Sequence, residues 1–156
     1  GGFNTSLSWK GFDLSAIFAY SIGGYIYNRD ITMILHNGSL EGRDWSTEIL
    51  KRWTPENRYT DVPALSTTSN NWNSASTRFL QNNSYMRLKN LTLSYDLPKQ
   101  WISKLALSSV QVFVQGDNLF TIHRNQGLDP EQGITGITYY RYPAMRTISG
   151  GINLSF

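Results

Sequence analysis

The sequence predicts an all-β protein of long antiparallel strands, each with one apolar and one polar face, and three observations lead to that class. First, residues 146–156 alternate without a break: Arg146, Ile148, Gly150, Ile152, Leu154 and Phe156 share one face, and Thr147, Ser149, Gly151, Asn153 and Ser155 share the other. A strand of about ten residues with these two faces suits a wall that meets lipid on one side and a watery lumen on the other. Second, the connections between strands alternate short and long. Third, aromatic side chains gather at the short-connection end of the apolar face. Together these describe the wall of a transmembrane antiparallel β-barrel.

Composition sets the bounds. The chain has 156 residues, of which 40% are hydrophobic and only 16% charged, against a usual charged share of roughly a quarter. Asn, Ser, Thr, Gly and aromatics fill the difference, as β-structure with polar interiors and long loops requires. The net charge of +3 is spread without any run of Lys or Arg, which argues against a nucleic-acid surface. There is no cysteine, hence no disulfide framework and no thiolate metal site. No apolar run reaches the length of a membrane helix, a criterion that leaves barrels untouched. The opening Gly1-Gly2-Phe3 already reads as strand, as if the chain were a piece of something longer.

The first strand covers about residues 2–9, with Phe3, Thr5, Leu7 and Trp9 on its apolar face. Lys10-Gly11 then forms a two-residue turn, in which Gly11 supplies positive φ although Lys10 is not a favoured turn residue. The second strand, about 12–22, places Phe12, Leu14, Ala16, Phe18, Tyr20 and Ile22 on one face. The residues flanking such a turn pair and point the same way, so Trp9 and Phe12 belong to one face. A long polar loop follows over about 23–83, in which Asp44 is read as the cap of a short helix from Trp45 to Trp53, stopped by Thr54-Pro55. An insertion of this length tends to be functional.

The third strand, about 84–96, sets Lys89, Leu91, Leu93 and Tyr95 against Leu88, Asn90, Thr92, Ser94 and Asp96. Leu97-Pro98-Lys99 breaks it, and a helical turn around Trp101 to Leu105 leads to the fourth strand, about 108–119, with Val110, Val112 and Val114 on one face. A second long loop over about 121–144 contains Gly127-Leu128-Asp129-Pro130-Glu131, and the fifth strand spans about 145–156. Outer-membrane barrels have short periplasmic turns and long extracellular loops, so the alternation of connections places Phe156 on the periplasmic side. Trp9, Phe12, Tyr95 and Phe156 at that end, and Tyr20 toward the long loop, read as aromatic girdles.

The stretch Asn83-Ser84-Tyr85-Met86-Arg87-Leu88-Lys89-Asn90-Leu91-Thr92-Leu93-Ser94-Tyr95-Asp96-Leu97-Pro98 resembles the late barrel segment of SusC/RagA-type TonB-dependent transporters of the Bacteroidota outer membrane. Gln111 to Thr121 is similar to the family's next strand, Gly127 to Glu131 to the following loop, and Tyr142-Pro143 to Phe156 to its terminal strand. These matches run in family order over the second half; the first half is similar only in layout. The resemblance implies that residues 1–156 are the C-terminal part of one barrel of about 22 strands, a size associated with a plugged lumen. About five of those strands are here, and the plug and the TonB-contacting segment are not.

What the resemblance further implies is import of a nutrient across the outer membrane, most simply a glycan and otherwise a peptide, with a SusD-like lipoprotein as surface partner. TonB-ExbB-ExbD would act through the missing N-terminal part, the barrel assembly machinery would read the terminal strand ending in Phe156, and membrane lipid and lipopolysaccharide would surround the wall. No enzyme activity, cofactor or metal is expected. From another class comes a soluble β-sandwich that binds carbohydrate; there Ile148, Ile152 and Leu154 would be buried against a second sheet, whereas in a barrel they would be exposed.

The candidate binding residues lie in the first long loop: Trp45, Trp53, Tyr59, Asn70, Asn71 and Trp72. Aromatic rings beside amides stack on sugar rings or contact a partner protein. His36 and His123 have no metal-ligand spacing and read as surface loop residues. Asp129 and Glu131 flank Pro130 as a turn would; a calcium site or a hydrolase carboxylate pair is the alternative use of such residues.

Overall fold

A computed structural model describes residues 1–38, 40, 42–66, 68, 74–103, 107–125, 127–131, 135–138 and 140–156. The chain divides into two compact units. The first comprises Gly1–Gly24, Asn83–Glu131 and Tyr142–Phe156; the second comprises Tyr25–Asn82 and Gln132–Arg141. In chain order the elements are β1 (Gly2–Trp9), β2 (Phe12–Ser21), β3 (Tyr25–Asn28), α1 (Arg29–Ile34), β4 (Leu80–Asn82), β5 (Tyr85–Asp96), α2 (Lys99–Ile102), β6 (Ser109–His123), β7 (Ile137–Thr138) and β8 (Thr147–Ser155).

The first unit is a five-stranded sheet in the order β1-β2-β5-β6-β8, antiparallel throughout. Lys10 and Gly11 both have positive φ, 49° and 87°, as a twisted two-residue turn demands, and Trp9 pairs with Phe12 across it. Cross-strand pairs then line up the apolar residues. Phe3 stacks on Phe18 at 4.7 Å between ring centres, and Phe12 lies 4.4 Å from Tyr95. This face has no protein against it in β8, where Ile148, Ile152 and Leu154 are 71%, 62% and 51% exposed. That exposure removes the sandwich reading, in which the same three residues would be core.

The third strand departs from the pattern read in the sequence. The pairing of β5 shifts between Leu88 and Asn90, so that Leu88 pairs with Phe18 on one side and Phe120 on the other. Lys89 is the inserted residue of a β-bulge, opposite Asn118 and Leu119 on β6. A bulge reverses the alternation beyond it. Leu88 and Met86 therefore join the apolar face, and Lys89 leaves the face on which strict alternation had placed it, so its ammonium group turns to the polar face. Asn118 takes up the local strain with φ 52°. Gly116 leaves room for the returning Leu119, whose Cδ2 would lie 2.7 Å from a Cβ there.

β6 also continues to His123 rather than ending near 119. Beyond the bulge Phe120 and Ile122 pair with Leu88 and Met86, so β5 holds the longer strand in place. Between β5 and β6 the helical turn is α2, which begins two residues earlier than expected; residues 104–106 lie outside the described residues.

In the second unit, the long loop carries structure of its own. β3 pairs antiparallel with β4 and parallel with β7. Ile26, Phe79, Leu35, Ile49 and Val62 are buried, and Tyr27 meets the Phe79 ring edge-on. Asn28 caps α1 by accepting from the Ile31 amide at 3.1 Å. The expected helix from Trp45 to Trp53 is a single 3-10 turn, Thr47–Lys51, and its cap is Ser46 rather than Asp44, because the Ser46 hydroxyl accepts from the Glu48 amide. His36, read as a surface residue, is fully buried with its ring edge against Trp45. Its position after α1 in a polar loop hid that burial.

Candidate functional site

The polar face of the first unit carries two kinds of chemistry. Toward the short-turn end it is a ladder of amides and carboxylates. Asn153 donates to Gln111 at 3.2 Å, Gln111 donates to Asp96 at 3.0 Å, and Asn90 donates to Asp117 at 2.8 Å. Thr92 in turn donates to Asn90 at 2.9 Å. Such a face is neutral or weakly acidic and wettable, as a lumen lining must be.

Toward the long-loop end the ladder gives way to a charge cluster. Arg87 of β5 sits between Ala19 of β2 and Thr121 of β6 in the sheet register, with its side chain only 3% exposed. Its Nε donates to the Thr121 hydroxyl at 2.9 Å, Nη1 to Glu131 at 2.9 Å and Nη2 to Asp129 at 2.5 Å. Lys89, turned by the bulge, donates to the same Glu131 oxygen at 2.5 Å. A buried guanidinium is tolerated only when paired and hydrogen-bonded, and here every one of its nitrogens has an acceptor.

Asp129 does more than neutralise Arg87. Its Oδ1 also accepts from the Glu131 amide at 2.9 Å, closing its own turn around the fully buried Pro130, and its Oδ2 accepts from the Ala144 amide at 2.6 Å. Burial opposes ionisation of this carboxyl, but the Ala144 and Glu131 amides and the Arg87 guanidinium outweigh it and hold the pKa below the usual carboxylate value. Both acidic residues are thus committed as counterions, an arrangement unlike a carboxylate pair poised for acid-base chemistry. Among the described residues no group of three or more His, Asp or Glu side chains could hold a metal ion.

Beside the cluster lies an open cavity of about 490 Å³, lined by Arg87, Phe120, His123, Leu128, Pro143 and Arg146 among others. It follows from unequal strand lengths. β8 begins at Thr147 opposite Asp117, so among the described residues the part of β6 beyond Asp117 has no strand on that side. The segments around Asp129 and Ala144 fold over this edge.

Of the binding residues read from the sequence, Trp53 and Tyr59 occur together on one tied loop of the second unit. The Trp53 amide donates to Val62 O at 2.8 Å, and the Asn57 side chain donates to Lys51 O at 2.9 Å and Arg52 O at 3.3 Å. Tyr59 projects from it wholly exposed and lines a cavity of about 480 Å³ with Lys51, Asn57, Thr60 and Asp61. Trp45 stands apart from this loop, packed on His36 and across Gly38. Asn70, Asn71 and Trp72 lie outside the described residues. Phe156 is almost fully exposed, just beyond the last residue of β8. Sequence reasoning missed the Arg87 cluster. Two cations in a strand otherwise without basic residues, and two anions in one turn, were the available signal.

No protein-family model matches the chain. Over 99% of its length it is 33% identical to TonB-dependent receptor P3 of Formosa agariphila and spans 16% of that protein. It is 28% identical, again over 99% of its length, to TonB-dependent receptor SusC of Bacteroides thetaiotaomicron, spanning 15% of it. All of the chain superposes on 17% of a chain of the RagAB peptide importer in the closed-closed state, with a TM-score of 0.87 and 36% identity. Against the open-open state the TM-score is 0.88 at 35% identity.

Proposed function

We infer from the premise that this chain is a barrel section of a SusC/RagA-type TonB-dependent receptor that it forms wall and extracellular loops of an outer-membrane importer. The observation that carries this reading is the pair of opposed faces: an outward one whose Ile148, Ile152 and Leu154 stand exposed, and an inward one lined by amides, carboxylates and the Arg87 cluster. Lipid suits the first and a hydrated lumen the second. In this reading the short turn at Lys10-Gly11 and Phe156 are periplasmic, and the long loops face outside.

The near-equal likeness to the closed-closed and open-open states of RagAB supports a static wall. Movement would belong to parts of the complete protein outside this section: a plug drawn by TonB, and a SusD-like lipoprotein that closes over the loops. We take the cargo to be an oligosaccharide, with the exposed rings of Trp53 and Tyr59 as stacking surfaces. The likeness to a peptide importer favours an oligopeptide as the second reading.

The test is uptake by cells carrying the complete protein, with labelled oligosaccharides and labelled oligopeptides offered in parallel. Energy-dependent uptake of one class is expected, and Tyr59→Ala with Trp53→Ala should weaken its binding by about thirtyfold, the loss of two stacking contacts of about 1 kcal/mol each. Recovery of the complete protein in the soluble fraction without detergent would overturn the barrel reading. Unchanged binding in the double variant would remove these two rings from the site.

A further inference from the structure

A strand must find its register as well as its partner. In a tight hairpin the turn sets it, as Lys10-Gly11 does for β1 and β2. β8 has no such help, because residues 124–146 separate it from β6. Its own pattern excludes a slip by one residue, which would turn Ile148, Ile152 and Leu154 inward. A slip by two preserves both faces and is opposed only by local contacts, the Asn153–Gln111 hydrogen bond and the Phe113 ring over Gly151, 2.8 Å from a notional Cβ.

Two tethers end just before β8 begins. Asp129, itself held to β5 by Arg87, accepts from the Ala144 amide, and the Asn118 side chain at the β6 bulge donates to Met145 O at 3.2 Å. Ala144 and Met145 are thus fixed to the two preceding strands within three residues of Thr147. We propose that the Arg87–Asp129 cluster and the Asn118 tether form a register lock for β8, doing for a long loop what a two-residue turn does for a hairpin. The lock acts whatever the cargo is, so its failure and a failure of the import reading are separate results.

Register can be read by cross-linking in the complete protein. Val112 pairs with Ile152, so Val112→Cys with Ile152→Cys reports the native register, and Val112→Cys with Gly150→Cys or Leu154→Cys reports a slip by two. With the lock intact, only the first pair should cross-link in membranes. In Arg87→Met and Asp129→Asn backgrounds the native cross-link should fall at least threefold, measured per folded molecule, and a slipped pair should appear. Asn118→Gly keeps the positive φ and removes only the tether to Met145; it should give a smaller shift in the same direction, which keeps the test open if Arg87→Met fails to fold. Arg87→Lys, retaining one charged contact to Asp129, should restore part of the native yield. Native cross-linking at full yield in folded Asp129→Asn and Asn118→Gly proteins, with no slipped product, would overturn the proposal.

Discussion

Placing an arginine on the outward face of β8 should cost stability according to depth. Ile152 lies four residues before Phe156 on the same face. With a rise of about 3.4 Å per residue and a tilt of about 45°, each residue descends about 2.4 Å through the bilayer. Ile152 then sits about 10 Å above the aromatic end of an apolar band about 25 Å tall, close to the midplane, while Ile148 sits about 19 Å up, near the far margin. Ile152→Arg should therefore destabilise by about 3 kcal/mol and Ile148→Arg by about 1 kcal/mol. Asn153→Arg, one residue away on the polar face, gives up an exposed hydrogen bond to Gln111 and should cost no more than about 1 kcal/mol. The assay is a urea titration of the complete protein inserted in lipid vesicles, read as the gel shift between folded and heat-unfolded forms. Asn153→Arg proving as costly as Ile152→Arg, or Ile148→Arg more costly than Ile152→Arg, would refute the assignment of faces or of depth.

Gly151→Val should destabilise by about 1 to 3 kcal/mol, the usual cost of overpacking, because its Cβ would meet the Phe113 ring; adding Phe113→Ala should recover most of that loss in the same titration. Asp129 has a lowered pKa, so its stabilising contribution is complete above the usual carboxylate value of about 3.9 and is lost as pH falls through the lower folded value. Protease protection around Asp129 and Ala144 should accordingly stay level from neutral pH down to about 4 and drop only below that, whereas Asp129→Asn should lack the protection at every pH.

How far the sequence carried the fold depends on how local each signal was. The two-residue turn and the pairing of Trp9 with Phe12 could be read because adjacent residues set them. The apolar faces of β1, β2 and β8 could be read because a period of two is visible within one strand. The bulge at Lys89 could not, since it is an event between three strands: Leu88 is drawn to Phe18 and Phe120 across the sheet, and no pattern within β5 announces it. The burial of His36 and the short sheet of the second unit were hidden for the same reason, as β3 meets β4 and β7 far along the chain.

The candidate residues divide similarly. Trp53 and Tyr59 stood out as aromatics in a polar loop, and the structure leaves both at the surface. Arg87 and Asp129 stood out as neither, being an ordinary strand cation and an ordinary turn carboxylate 42 residues apart.

What the sequence determined by itself is the amphipathic strand: which side chains form the apolar face, which form the polar one, and how short and long connections alternate. Those properties are sums over neighbouring residues. Only the tertiary structure decided where the alternation reverses, which charges meet, and what returns a long loop to the right residue of β6. Each of these rests on groups brought together from distant strands, where burial makes an unpaired charge costly enough that one arrangement prevails.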